Sequence, residues 1–118
     1  MIGGTALMTF GDLVFRISHQ ESDPRNLGRW CNVSFTGKNN TITTIFICYC
    51  PVRASSLGSA YAQQLVYMSE NADKIPETNC PRQLFGLDLR HKIEEKLELG
   101  HNLIIMGDFN SAYAKLKV

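Results

Sequence analysis

Asn102-Leu103-Ile104-Ile105-Met106-Gly107-Asp108-Phe109-Asn110 is the stretch around which the rest of the chain falls into order. Four apolar residues, Leu103 to Met106, run without interruption and stop at a glycine. Such a run predicts a strand buried on both faces. Gly107 lets the backbone turn where a Cβ would be costly. Asp108 and Asn110 then stand just past the strand end. α/β proteins tend to place their chemistry there, on a rigid scaffold with an open rim. A carboxylate in that position can hold a water molecule or share in binding a hard cation. A neutral amide can donate to an anionic oxygen without adding charge. The same residue types also make ordinary turns, because Asp and Asn cap their own backbones in loops.

At 118 residues the chain allows one domain and a modest core. Its hydrophobic fraction of 44% and charged fraction of 19% are those of a globular rather than a disordered protein. Twelve basic and 11 acidic residues give a formal net charge of +1, so no basic excess announces nucleic acid. No apolar run is long enough to span a bilayer, and Met1-Ile2-Gly3-Gly4-Thr5 lacks the regions of a signal peptide. Membrane association is therefore not expected, and the expected location is intracellular, cytoplasmic or nuclear rather than secreted. Cys31, Cys48, Cys50 and Cys80 fit no zinc spacing and read as reduced thiols. Asn-x-Ser/Thr triplets at Asn32 and Asn39 mean little in such a protein.

Working outward from the opening stretch, Gly11-Asp12 suggests a hairpin turn between Thr5–Met8 and Leu13–Ile17. Residues 19–26 are polar, contain Pro24 and read as a loop, with His19 solvated. Arg29 to Thr36 alternates, with Cys31, Val33 and Phe35 on one face and Asn32 and Ser34 on the other, which predicts a half-buried strand. Gly37-Lys38-Asn39-Asn40 is a turn, and the Thr- and Ile-rich segment Thr41–Tyr49 predicts a central strand ended by Pro51. Ser59 is a candidate cap for a helix with Tyr61, Leu65, Met68, Ala72 and Ile75 at helical spacing. Pro81 opens a second helix with a stripe of Phe85, Leu89, Ile93 and Leu97, and Gly100 suits its end. Arg90 and Glu94 pair one turn apart on its charged face. No repeat, low-complexity tract or linker is apparent, and Ser111–Val118 carries no assignment.

Ile-Ile-Met-Gly-Asp-Phe-Asn, residues 104–110, resembles the signature of the endonuclease/exonuclease/phosphatase superfamily, the deoxyribonuclease I-like fold. Three further stretches resemble it in the same order. Gly28-Arg29-Trp30 opens a strand as the family's Gly-Arg-aromatic segment does. Ile47-Cys48-Tyr49-Cys50-Pro51 is similar to the family's Tyr-x-Pro motif. Tyr61-x-Gln63-Gln64 resembles the helix start that follows, particularly in endonuclease domains of retroelements. The resemblance runs from about Gly3 to Ser111. It implies an α/β (α+β) fold, part of a four-layer α/β sandwich, with residues 1–118 forming a single incomplete domain. It implies hydrolysis of phosphodiesters or phosphomonoesters with Mg²⁺ and nucleic acid as a possible partner. In its terms Tyr49 contacts the scissile phosphate, Asp108 positions or deprotonates the attacking water, and Asn110 helps hold the phosphate. Without that implication Tyr49 reads as a core aromatic at a sheet end.

The departures from the family pattern are as informative. The family's domains have roughly twice this length. Its early Asn and its metal-binding Glu fall before the matched segment, and its later Asp and Asp-His pair fall after it. His19, His91 and His101 do not stand where that His would. The metal ligands are thus unknown, and Cys50 and Val52-Arg53 differ from the residues common around Tyr-x-Pro in repair nucleases. Two alternatives stand beside a nuclease fragment that is inactive as this chain alone. One is a non-catalytic remnant acting as an interaction module; the other is an unrelated small α/β domain. Substrate and oligomeric state are not legible.

Overall fold

The computed structural model describes residues 4–54, 56–78 and 80–111. Its centre is a β-hairpin. β2 (Trp30–Thr36) pairs antiparallel with β3 (Ile42–Tyr49), from Trp30 opposite Cys48 to Thr36 opposite Ile42. The turn between them is a short 3-10 segment, Lys38–Asn40, in which Asn39 and Asn40 take left-handed φ of 57° and 60°. Asparagine tolerates that conformation better than most residues. β1 (Ile17–Ser22) lies antiparallel to β2, with a register shift between Ile17 and His19. From β3 the chain crosses over through two helices, α1 (Ala60–Glu70) and α2 (Pro81–Glu98). It returns as β4 (Asn102–Asp108), parallel to β3. The order β1-β2-β3-β4 makes a four-stranded mixed sheet, so the fold class is α+β.

Local signals account for the helix ends. Ser59 Oγ accepts from the Ala62 amide at 3.1 Å, capping α1 as expected. Pro81 stands in the first turn of α2, where its missing N–H costs nothing. Gly100 ends α2 with φ of 79°. Arg90 and Glu94 pair at 2.9 Å on the solvated face. The packed layer lies between the sheet and α2. Trp30, Phe46, Cys48, Cys50, Phe85 and Leu89 form one buried cluster, with Ile93, Leu103 and Phe109 packed against it. Phe85 meets both Trp30 and Phe109 edge-on, with ring centroids 6.3 Å apart in each pair. Among the described residues no helix is long and apolar enough to cross a membrane.

Several expectations need correction. The predicted N-terminal hairpin does not form: Gly11–Arg16 is a 3-10 helix with no buried residue, and the strand is Ile17–Ser22. His19 therefore lies in a strand, exposed, with Nε2 2.7 Å from Glu21 Oε1. α1 stops at Glu70, before Ala72 and Ile75, and Gln64 rather than Leu65 is buried. On α2, Leu97 is exposed while Lys96 is buried. The two best strand readings exchange places. β2, expected to be half-buried, has Asn32 and Ser34 fully buried on its second face. Ser34 Oγ and Thr44 Oγ1 lie 2.8 Å apart, and Thr44 Oγ1 lies 2.9 Å from His101 Nδ1, so those hydroxyls are satisfied internally. β4, expected to be buried on both faces, is an edge strand with Ile104, Ile105 and Met106 exposed.

Candidate functional site

The sheet brings the three sequence-marked residues to one rim. Tyr49 and Asp108 are register partners at the ends of the parallel strands β3 and β4. The adjacency continues one residue further, where the Cys50 amide donates to the Asp108 carbonyl at 2.9 Å. Asn110 is tied to the same place, its side-chain Nδ2 donating to the Cys50 carbonyl at 2.8 Å. Asp108 and Asn110 are exposed and Tyr49 is half-buried. Neighbouring strands lie about 4.8 Å apart, so a single phosphate-sized group can be shared by both strand ends.

Gly107 makes the close approach possible, by a different route from the expected turn. It lies within β4 at φ of 148°, a conformation that favours glycine. A Cβ there would land on the Cys48 carbonyl oxygen and within 2.8 Å of that residue's carbonyl carbon and nitrogen. The turn reading of Asp108 is also realised: its Oδ1 accepts from the Asn110 amide at 3.0 Å. One carboxylate oxygen therefore shapes the loop and the other is left for water. Asn110, at φ of 46°, spends one amide N–H on Cys50 and keeps a second.

Two roles at and behind the rim were not read from the sequence, that of Arg82 and the buried pairing of Arg29. Arg82, at the start of α2, binds both loops through its guanidinium. It donates to the carbonyls of Pro51 (2.8 Å), Phe109 (3.2 Å) and Asn110 (3.1 Å), and to Ser111 Oγ (3.0 Å). Arg is suited to this because its donors form a planar fork. Only its position after the helix-opening Pro81 could have drawn attention to it. The second feature lies behind the rim. Arg29, with no exposed surface, pairs with Asp23 at 2.7 Å and with Asp88 at 2.9 Å, and stacks 4.6 Å from the Trp30 ring centroid. Its carbonyl accepts from the Tyr49 amide at 2.7 Å. Burial alone would raise the Asp23 carboxyl, but the hydrogen bonds and charge of Arg29 hold it below the ordinary carboxylate range.

Among the described residues no group of three or more His, Cys, Asp or Glu side chains could hold a metal ion. At the rim Asp108 is a lone carboxylate with one oxygen already engaged. Mg²⁺ sites combine carboxylates with substrate phosphates and waters, so the residues present do not make an Mg²⁺ site by themselves. Burial disfavours the thiolate form of the neighbouring cysteines. Burial pushes Cys50 up against the opposing charge of Arg82, and pushes Cys48 up to about 12. A cavity of about 740 Å³ lies elsewhere, beside α2, lined by Arg25, Trp30, Tyr67 and His91 and by none of the three rim residues. Comparison of the chain with family models, with curated proteins and with solved structures gives no match.

Proposed function

We propose that this chain is a central segment of a metal-dependent phosphodiesterase or endonuclease acting on nucleic acid, catalytically incomplete by itself. The observation that carries the reading is the pairing of two sequence motifs at one rim. Tyr49, from the Tyr-x-Pro-like stretch, and Asp108, from Gly-Asp-Phe-Asn, are register partners. They are distant in sequence, and only the crossover through α1 and α2 makes them neighbours.

In this reading the rim binds a phosphate and a water. Asn110 offers its remaining amide N–H and Tyr49 its phenol, both neutral donors to an anionic oxygen. The second oxygen of Asp108 accepts from water and orients it. The bound cation and the help for the leaving group that the family chemistry calls for have no counterpart among these residues. Loss of one member of an interdependent catalytic set costs nearly as much as loss of all. The chain alone is therefore expected not to cleave.

Two experiments test this. Plasmid nicking with Mg²⁺ and with Mn²⁺ compares the purified chain with Asp108→Ala; cleavage abolished by the substitution would overturn the incompleteness. The coding sequence on either side is then read in frame. A Glu-bearing strand upstream and a Ser-Asp-His segment downstream are expected, and the protein extended by both should nick DNA in an Asp108-dependent manner. An extended protein that binds no nucleic acid and hydrolyses no phosphate ester would refute the reading.

A further inference from the structure

The backbone ladder between β3 and β4 ends at the rim. Among the described residues its last bond runs from the Cys50 amide to the Asp108 carbonyl. Past that point one strand leads into the loop from Pro51 and the other into Phe109-Asn110-Ser111, and backbone pairing no longer relates them. Two side chains take over. Asn110 Nδ2 donates to the Cys50 carbonyl. Arg82 bridges the two loops, with Nη1 on the Pro51 carbonyl and Nη2 shared among the Phe109 carbonyl, the Asn110 carbonyl and Ser111 Oγ.

This arginine is used differently from Arg25, Arg29 and Arg90, which sit on the carboxylates of Asp88, Asp23 and Glu94. The acceptors of Arg82 are three carbonyls and a hydroxyl. A planar fork reads the spacing of such oxygens, which a point charge does not. What the fork fixes is Asn110. That residue has a left-handed φ of 46°. A sparsely populated conformation persists where the surroundings over-determine it. Three groups of Asn110 are engaged: its amide on Asp108 Oδ1 at 3.0 Å, its carbonyl on Arg82 Nη2 at 3.1 Å, and one side-chain N–H on Cys50 at 2.8 Å. Arg82 itself rides on α2, which Phe85, one turn later, packs against Trp30 and Phe109. The fork is thus carried by a rigid element.

We propose that Arg82 is the positioning residue of this rim. It orders Asn110 before any ligand arrives, so that the remaining amide N–H of Asn110 and the free oxygen of Asp108 meet a nucleic-acid phosphodiester and its water already in place. Arg82 acts through Asn110 and touches neither phosphate nor water. Ordering the loop and the side chain only on binding would consume affinity, and the fork removes that cost in advance. This role rests on the phosphodiesterase reading.

Arg82→Lys keeps the charge and removes the fork, which makes it the decisive variant. The full chain, labelled with nitrogen-15, is titrated with a ten-nucleotide oligothymidylate while the amide signals of Tyr49 and Asn110 are followed. Hydrogen exchange of the free protein is measured beside it. The wild type is expected to bind with those signals moving. Arg82→Lys should keep the wild-type far-ultraviolet circular dichroism and bind about 3- to 30-fold more weakly. Its Asn110 amide should exchange faster, while that of the fully buried Phe46 exchanges as before. Ser111→Ala takes one acceptor from the fork and should move both readouts the same way by less. A merely structural Arg82 would lower the unfolding temperature and leave the affinity of the folded protein unchanged. Affinities within about 2-fold of wild type in both variants would therefore overturn the role of Arg82 and leave the phosphodiesterase reading standing. A wild type that does not bind at roughly 1 mM strand, above the usual range of even non-specific nucleic-acid binding, would overturn that reading and this role with it.

Discussion

Replacing Arg29 by Met should cost this protein a large part of its stability. The guanidinium has no exposed surface and makes close ion pairs with Asp23 at 2.7 Å and Asp88 at 2.9 Å. The two carboxylates are left in different positions when it goes. Asp88 keeps Arg25, which donates to it at 2.7 and 3.2 Å. Asp23, only 2% exposed, keeps just the backbone amides of Arg25 and residue 29 at 3.0 and 3.3 Å. The penalty is therefore that of one buried, unpaired carboxylate, about 3–5 kcal/mol. Losing the cation–π contact with Trp30 adds about 0.5–2 kcal/mol. Against a total of about 5–15 kcal/mol for a domain, such a loss leaves little in reserve. At about 2.1 cal/mol/K per residue of unfolding entropy, a loss of 3–5 kcal/mol lowers Tm by roughly 12–20 °C.

Urea unfolding followed by circular dichroism measures the cost, with two internal checks. Removing both charges, as Asp23→Asn with Arg29→Met, should cost less than Arg29→Met alone, because no ion is then stranded. The pH dependence should also change sign. In the wild type the carboxyl of Asp23 is held down, so its stabilisation is present above the ordinary pKa of 3.8 and lost as pH falls through the lower folded value. Without Arg29, burial is opposed only by the two backbone amides and raises the carboxyl, so the cost of Arg29→Met should shrink as pH falls from 7 toward 4. A single-substitution cost below about 1 kcal/mol, the value of an exposed pair, would refute the reasoning. A double variant less stable than the single one would do the same.

Gly107→Ala should destabilise by at least ~2 kcal/mol, since its Cβ meets the Cys48 peptide and its φ is positive; thermal unfolding checks this. Glu21, held down to about 2 by Lys96 and Lys92 against the opposing effect of burial, should contribute stability at neutral pH that is lost as pH falls from 4.5 toward 2. Glu21→Gln should therefore cost ~2 kcal/mol at pH 7 and almost nothing near pH 2, as read by urea titrations at the two pH values. Iodoacetamide should label the half-buried Cys31 and Cys80 first, and Cys48 and Cys50 only on unfolding. Peptide mass spectrometry resolves the four sites.

The elements that local chemistry specifies were legible in the sequence. β3, the hairpin turn, the Ser59 cap, Pro81 and Gly100 each follow from a residue acting on its own backbone. Burial was not legible in the same way, because it depends on what stands beside a strand. Leu103–Met106 is as apolar as a doubly covered strand, yet nothing described covers its outer side. Asn32 and Ser34 look like a solvated face, yet both are fully buried, Ser34 against Thr44, which in turn meets His101. Lys96 is buried because Glu21, 75 residues earlier, accepts its proton donors at 2.8 Å. Pairings over that distance leave no trace in periodicity. At the rim, Tyr49, Asp108 and Asn110 were marked by motif, while Arg82 was invisible because three of its four partners are backbone carbonyls, which have no sequence identity.

Arg82 also explains why the rim can be well built and still chemically unfinished. Five of the groups that shape it turn inward. Arg82 spends its donors on the two loops, one oxygen of Asp108 is used on the Asn110 amide, and one N–H of Asn110 is used on Cys50. Phe109 anchors the loop on Phe85, and Gly107 lets β4 reach Cys48. What remains is one carboxylate oxygen of Asp108 and one amide N–H of Asn110, both on exposed residues, beside the half-buried Tyr49. That set can hold a phosphate oxygen and a water, since each demands only a donor or an acceptor in the right place. In the proposed reading it would not neutralise the charge that grows during phosphoryl transfer, because Arg82 is already committed to loop oxygens. In the proposed phosphodiesterase reading, binding geometry and charge compensation come from different parts of the site, and these residues offer only the first.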